Sequence, residues 1–515
     1  MRTCNLKKIL KSQESKGLCN NGKDRKFSEP ISFPSCDYFK PKNEKDKTLV
    51  FESRFESGNL QLAHKVTDNE YDLILQNDIN SKGHTQWFFF RVANTKKGLK
   101  VKFNMLNMIK SKSLYNEGMK VLIYSEKKQD QAANLSASAQ KKEKCQEGWY
   151  RGGEDLSYYA NNYRKDQSQQ TNFQRCYYTF TFTHTFDSDN DQVYFAYSQP
   201  YTYTDLTEDL CDIQSKQLNY VSRNTLCRTI AGNKCEYLSI TNRVPYEVDQ
   251  KKEGVVITGR IHPGESNSSF MMKGVIDFLV SDDPVACELR DKFVFKIIPM
   301  LNPDGVINGN YRCSLAGCDL NRRWKYPSEI LHPTVYNTKK LIMKLAKERP
   351  LALYCDLHGH SRRKNVFMYG NCSNEEQEAS RIFPFLMSKI AQPHFSYDYS
   401  RFCVGRGKEQ TARVAMWRDL GQKHPNIFTM EASFCGPKPV KYEPHRGSKK
   451  APTVTEMNYH FNTNDLCTIG QKLCETLILY RNEKEETLGL SNAEYVVQQY
   501  HLDKESKMEQ ENLIK

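Results

Sequence analysis

Nowhere in this sequence are two cysteines separated by two residues, although its 515 residues include 17 cysteines. That absence excludes zinc-finger and thioredoxin-type motifs, so a metal site here must draw on other ligands. The odd, scattered count accompanies a first stretch, MRTCNLKKILKSQESKG, that lacks the apolar core of a secretory signal. Together these predict free thiols and a cytoplasmic protein. No run approaches the ~20 apolar residues needed to cross a bilayer, so no membrane partner is expected. No RNP or finger motif and no internal repeat is found, and nucleic acid is not an expected partner.

What the chain does have is positive charge. Lys and Arg total 75 against 61 Asp and Glu, a net charge of +14. Such a balance favours an acidic partner. Much of the excess lies in polar ends and insertions, where solvated surface explains it equally well. The length predicts two or three domains.

Four regions follow from the texture. Residues 1–47 are polar and predict disorder. From 48 to 240, short aromatic and β-branched runs such as HTQWFFFRVANT (84–95) and CYYTFTFTHTF (176–186) alternate with polar turns. They predict an antiparallel β-sandwich. A polar stretch at 127–148 reads as a surface insertion. From 241 to 485 strands alternate with helices, which predicts an α/β domain with a parallel or mixed central sheet. The last region, 486–515, is polar and partly helical in pattern.

Ligands of open α/β sheets bind beyond the carboxyl ends of strands. Three such ends carry residues suited to zinc chemistry. VVITGRI leads into His262 and Glu265, ALYCDL into His358, and NIFTM into Glu431. His₂Glu is an established zinc set that leaves a position open for water. Each piece alone has a plainer explanation: HPGE as a turn, His358 (beside His360) as an ordinary buried histidine, Glu431 as one half of a salt bridge. A buried carboxylate without a partner is expensive, however, and a neighbouring metal accounts for it. The loop NPDGVINGNYRCSLAGCDLNRRW (302–324) adds Arg312, Asn321, Arg322 and Arg323. Arginine forks of this kind match carboxylates and oxyanions.

In order, HPGE, NPDG, DLNRRW, DLHGH and FTMEAS resemble the zinc metallocarboxypeptidases. FESRFESGNL (51–60), HTQWFFFRVANT, PYTYTDL (200–206) and CRTIAGN (227–233) resemble the preceding domain and junction of the cytosolic carboxypeptidase branch, whose members include tubulin deglutamylases. The resemblance covers roughly residues 48 to 480. It implies an α/β/α domain with a mixed sheet, and one Zn²⁺ per chain on His262, Glu265 and His358. It further implies Glu431 as general base, Arg312 at the developing oxyanion, and Asn321 with Arg322 on the terminal carboxylate of the substrate. Asp319 corresponds to an outer carboxylate that orients a zinc-bound imidazole. Arg413, in GKEQTARVAMW (407–417), resembles the arginine with which this branch pairs an acidic side chain, with Lys408 a weaker candidate. Pro263–Gly264 stand where secreted relatives carry an arginine, which fits the cytosolic branch. The mobile tyrosine of those relatives has no match, and Tyr397, Tyr399 and Tyr442 are near in sequence only.

The resemblance therefore implies a monomeric zinc carboxypeptidase that removes glutamate from acidic C-termini or polyglutamate side chains. Tubulin and other glutamate-rich tails are the expected partners, in the cytoplasm, cytoskeleton, cilium or basal body. Two alternatives stay open: a zinc deacylase of N-acyl amino acids, and a catalytically idle protein that binds microtubules or nucleic acid.

Overall fold

The computed structural model describes residues 41–43, 45–131, 148–164, 176–371, 379–422, 424, 426–438 and 459–487. Most of 1–47, of the insertion at 127–148 and of 486–515 lies outside these residues. The aromatic runs form two five-stranded sheets. One has the order β1 (Val50–Glu52), β4 (Phe89–Ala93), β10 (Val193–Ala196), β6 (Val121–Ser125), β7 (Trp149–Gly152). The other runs β2 (Leu60–Thr67), β3 (Glu70–Leu75), β5 (Lys100–Met108), β9 (Cys176–Thr185), β8 (Glu154–Arg164). Their inner faces meet in phenylalanine: Phe103 of β5 lies 5.3 Å, ring to ring, from Phe195 of β10, and Phe90 and Phe182 fill in beside them. Burying such a side chain contributes roughly 1.5–3 kcal/mol. Neighbouring strands are antiparallel as predicted, with one exception, the parallel pair β3–β5.

The third sheet has seven strands in the order β11 (Val221–Arg228), β12 (Lys234–Ile240), β14 (Phe293–Ile298), β13 (Glu253–Gly259), β15 (Leu351–His360), β17 (Ile427–Ser433), β16 (Val366–Tyr369). β14, β13, β15 and β17 are parallel neighbours, and antiparallel strands flank them. Helices of eight or more residues are labelled α1 (Tyr203–Ser215), α2 (Ser266–Leu279), α3 (Pro284–Lys292), α4 (Pro333–Glu348), α5 (Ala379–Ile390), α6 (Ala412–Asp419) and α7 (Thr463–Thr487).

Strand alternation sorts the core into two layers. Val255, Ile257, Leu353 and Cys355 face α2, α3, α5 and α7, whereas Val256 and Tyr354 face α4 and α6. The α2–α7 crossing is close because both helices carry glycine there. A Cβ on Gly274 would sit 2.0 Å from the Cys467 carbonyl oxygen, and one on Gly470 would sit 1.9 Å from that of Met271.

One boundary differs from expectation. The sandwich strands end at Ala196, and residues 221–240, grouped with the sandwich by sequence, form β11 and β12 on the edge of the seven-stranded sheet. A half-buried antiparallel hairpin has the same sequence texture in either place. Further contacts tie the sandwich to the α/β part: Ser57 Oγ donates to the Val306 carbonyl at 2.7 Å, and Arg151 Nη2 to that of Phe434 at 2.9 Å.

Candidate metal centre

Because β13, β15 and β17 are parallel neighbours, their carboxyl ends share one edge. Leu357 pairs with Gly259, and His358 stands directly opposite Glu431. Beyond β13 the chain turns through Arg260, which adopts φ +53° and is fully buried. Its guanidinium is spent on structure: Nε donates to the Pro263 carbonyl at 2.7 Å, and Nη1 to the Tyr201 carbonyl and Ser269 Oγ. Gly264 allows the loop to lie against the next segment, where a Cβ would come within 2.7 Å of the Tyr311 ring. The turn thus delivers His262, and then Glu265 just ahead of α2.

Donor atoms of His262, Glu265 and His358 lie within 4.8 Å of one another, and all three residues are buried. His262 Nδ1 is 2.9 Å from Glu265 Oε1, and His358 Nδ1 is 2.9 Å from Oε2. The far nitrogen of each ring meets another carboxylate: His262 Nε2 is 3.1 Å from Asp319 Oδ1, and His358 Nε2 is 2.7 Å from Asp356 Oδ2. Metal-ligating histidines are held in this way, by a carboxylate on the nitrogen that does not face the ion. Two imidazoles and one carboxylate around a common point, each ring braced from behind, fit a zinc ion.

Glu431 lines the same cavity, of about 490 Å³. Burial pushes its carboxyl up to about 7, with His358 pulling against that and Glu265 adding to it. A cation on the three donors would act to lower it again.

The loop after β14 supplies the arginines. Asn302 caps a short helical turn by accepting from the Gly305 N–H at 3.1 Å, which sends the chain back toward the sheet edge. Arg312 Nε and Nη2 both donate to Asp319 Oδ2, at 2.8 and 2.7 Å. Burial works against a charge on Asp319, yet His262 and the arginines hold its carboxyl far below the usual range. Asn321 Oδ1 accepts from the Ala412 N–H at 2.8 Å, which ties this loop to the start of α6, and its Nδ2 is 3.2 Å from His358 Nε2. Arg322 Nη1 donates to the Asn321 carbonyl at 2.9 Å, with Asp319 Oδ2 at 3.9 Å. Arg413 reaches the cavity from α6, where its Nη1 donates to the Gly370 carbonyl and, at 2.5 Å, to Asn371 Oδ1.

The structure therefore brings every site residue read from the sequence to one edge. Asp319 does not line the cavity but stands behind His262 and Arg312. Lys408 lines the cavity too, and so does His360, which is not one of the three clustered donors. Tyr397 and Tyr399 are absent from its wall, and Tyr442 lies outside the described residues.

Six contributors escaped the sequence reading, two of them the cavity-lining Arg362 and Arg401. Asp356, fully buried, takes the Thr258 hydroxyl on Oδ1 at 2.7 Å and His358 on Oδ2. It sits two residues before His358, on the same strand face, so alternation alone could have suggested it. Tyr369 of β16 lines the cavity. Asp78 and Lys110 come from the sandwich, and nothing in their local sequence signals a distant partner. Asp78 accepts the backbone N–H groups of Tyr311, Arg312 and Cys313 at 2.6–2.7 Å. Lys110 lines the cavity itself.

Comparison with known proteins agrees with this geometry. A family model described as zinc carboxypeptidase matches residues 206–436, and one described as the cytosolic carboxypeptidase N-terminal domain matches 51–198. Cytosolic carboxypeptidase 2 of Mus musculus is 45% identical over 439 residues, 84% of this chain and 46% of that protein. Its counterpart in Xenopus tropicalis is 43% identical over 449 residues, 85% of this chain and 42% of that protein. The chain thus spans less than half the length of these two relatives. In fold, it is similar to a metallo-carboxypeptidase from Burkholderia cenocepacia, with a TM-score of 0.64 and 22% identity over 84% of this chain and 99% of that one. With these matches over two successive domains, the chain belongs to the zinc carboxypeptidase family and carries the N-terminal domain of its cytosolic branch.

Proposed function

We propose that this chain is a zinc-dependent carboxypeptidase that removes glutamate from acidic C-termini or polyglutamate side chains. Tubulin and other glutamate-rich tails in the cytoplasm or on the cytoskeleton are its substrates. The observation that carries this reading is the charge of the cavity. Arg312, Arg322, Arg413, Lys110, Arg362, Arg401 and Lys408 line it, against the carboxylates of Glu265 and Glu431. A cavity so biased rejects apolar and basic side chains and welcomes several carboxylates at once.

His262, Glu265 and His358 would hold the zinc, which when bound polarises a carbonyl and makes water a stronger acid. Glu431 takes the proton from the attacking water and passes it to the departing amine. Arg312, steadied by Asp319 and by the backbone grip of Asp78, opposes the negative charge that grows on the carbonyl oxygen. Arg322, with Asn321 beside it, holds the terminal carboxylate. Arg413 pairs with the side-chain carboxylate of the residue being removed, since an acidic group buried there without a cation is costly.

Peptides ending in glutamate, glutamine or leucine test this, with hydrolysis followed by mass spectrometry. Glutamate released at least about a hundredfold faster than leucine is the expected outcome, the scale of losing one buried charge pair. Equal rates for glutamate and leucine would refute the specificity. Hydrolysis of short N-acyl amino acids alone would replace it with the deacylase alternative.

A further inference from the structure

Lys110 follows β5 of the sandwich, yet it lines the cavity that holds the donor cluster of the other domain. Its position is fixed from several directions. Tyr158 Oη donates to its carbonyl at 2.5 Å, and its own Nζ donates to Ser361 Oγ at 2.5 Å. The same Nζ stands 4.7 Å from the centre of the Tyr311 ring. Ser361 follows His358 by three residues, and Tyr311 precedes Arg312. Among the described residues Lys110 forms no ion pair, although an ammonium has three hydrogens to donate. A half-buried lysine without an anion is costly to charge, and burial pushes its ammonium down to about 7, so an acidic ligand beside it would favour the protonated form. This one is held rigidly, beside a catalytic cavity.

The cations of the cavity divide into sets. Lys110 Nζ bonds to Ser361, the neighbour of Arg362, and stands against the ring of Tyr311, the neighbour of Arg312, whereas Arg322 stands beside Asn321 and Asp319. Arg413 lies apart, against Gly370 and Asn371.

A terminal glutamate carries two carboxylates, and Arg322 and Arg413 account for them. The rest of its chain must lie along the same cavity wall, where Lys110 and Arg362 also stand. We propose that Lys110 and Arg362 form a subsite for a third carboxylate, on the residue just before the scissile bond. The sandwich then helps select chains that end in consecutive acidic residues. This rests on the glutamate-trimming reading above. It makes Lys110 a specificity residue contributed by one domain to the active site of the other.

The test is a matrix of four peptides offered to the zinc-loaded full chain, with glutamate or glutamine at the penultimate position and glutamate or leucine at the end. In the wild type, penultimate glutamate should raise kcat/KM about tenfold over glutamine, the scale of one charge-assisted hydrogen bond. Lys110→Met should bring that ratio below about two, and Lys110→Arg, which restores the charge, should recover most of it.

A purely structural strut between domains would change stability or overall rate but not this ratio. A folded Lys110→Met protein that keeps the wild-type ratio overturns the proposal, as does a wild-type ratio near one. Should Lys110→Met fail to fold, Arg362→Gln on the exposed rim decides, and an unchanged ratio there also overturns it. The terminal residue is scored independently. Loss of the glutamate-over-leucine preference with the penultimate ratio intact refutes the terminal specificity and leaves the Lys110 subsite standing, whereas the converse refutes the subsite alone.

Discussion

The Arg312 backbone N–H donates to Asp78 Oδ2 at 2.7 Å, joining the α/β part to the sandwich across 234 residues of sequence. Asp78 also takes the N–H groups on either side, so one buried carboxylate fixes the backbone of the loop that presents the arginine. The sandwich is therefore part of the active-site scaffold.

Asp78→Ala should destabilise the protein, by on the order of 1–3 kcal/mol for each buried donor left unpaired. It should also lower kcat by roughly 10–100-fold, because small misplacements of a positioned group are expensive. Zinc content should be unchanged, since Asp78 touches no donor of the cluster. Thermal melting, zinc analysis and steady-state kinetics check the three parts, and an unaltered kcat would show that Arg312 does not need this grip.

Asp356 braces His358 as Asp319 braces His262. Asp356→Asn should weaken zinc affinity by about 10–100-fold, the usual effect of losing such a partner. Competition with a chelator measures it directly. Asp319→Asn should cost zinc affinity and also raise KM or lower kcat at full zinc loading, because Arg312 leans on the same carboxylate.

Arg413 and Lys408 make different predictions although both line the cavity. Arg413 is buried and locked to Gly370 and Asn371, whereas Lys408 forms no ion pair among the described residues. Arg413→Met should lower kcat/KM for glutamate-ending peptides by about 10²-fold or more, and should narrow or reverse the preference over leucine. Lys408→Met should cost less than about tenfold, in the range of an exposed charge. The reverse ranking, read from the same peptide pair, would assign the side-chain pocket to Lys408.

Much of this site was legible because its chemistry sits at strand ends. Apolar runs ending in His262, His358 and Glu431 announce parallel strands, and parallel neighbours bring their ends together whatever the loops do. Asp78 and Lys110 were illegible for a physical reason. Each is an ordinary polar residue of a sandwich loop or strand end, and its partner is fixed only when two domains dock. β11 and β12 were placed in the wrong group because an edge hairpin looks the same in either sheet. Asp356 was available in principle, two residues before His358 on one face of β15, but a carboxylate in an apolar strand gives no sign of its partner by itself.

The central claim is that Glu431 and a metal on His262, Glu265 and His358 cut glutamate from acidic ends. One measurement tests it most directly: a mass-spectrometric time course on a peptide ending in several glutamates, run with the zinc-loaded chain, the chelated chain and Glu431→Gln. The account predicts stepwise loss of glutamate by the zinc-loaded protein and none after chelation. It predicts a rate on the order of 10²–10⁴ lower for Glu431→Gln, the scale of a general base, at unchanged zinc content. Undiminished turnover by Glu431→Gln, or glutamate release that survives chelation, would contradict it.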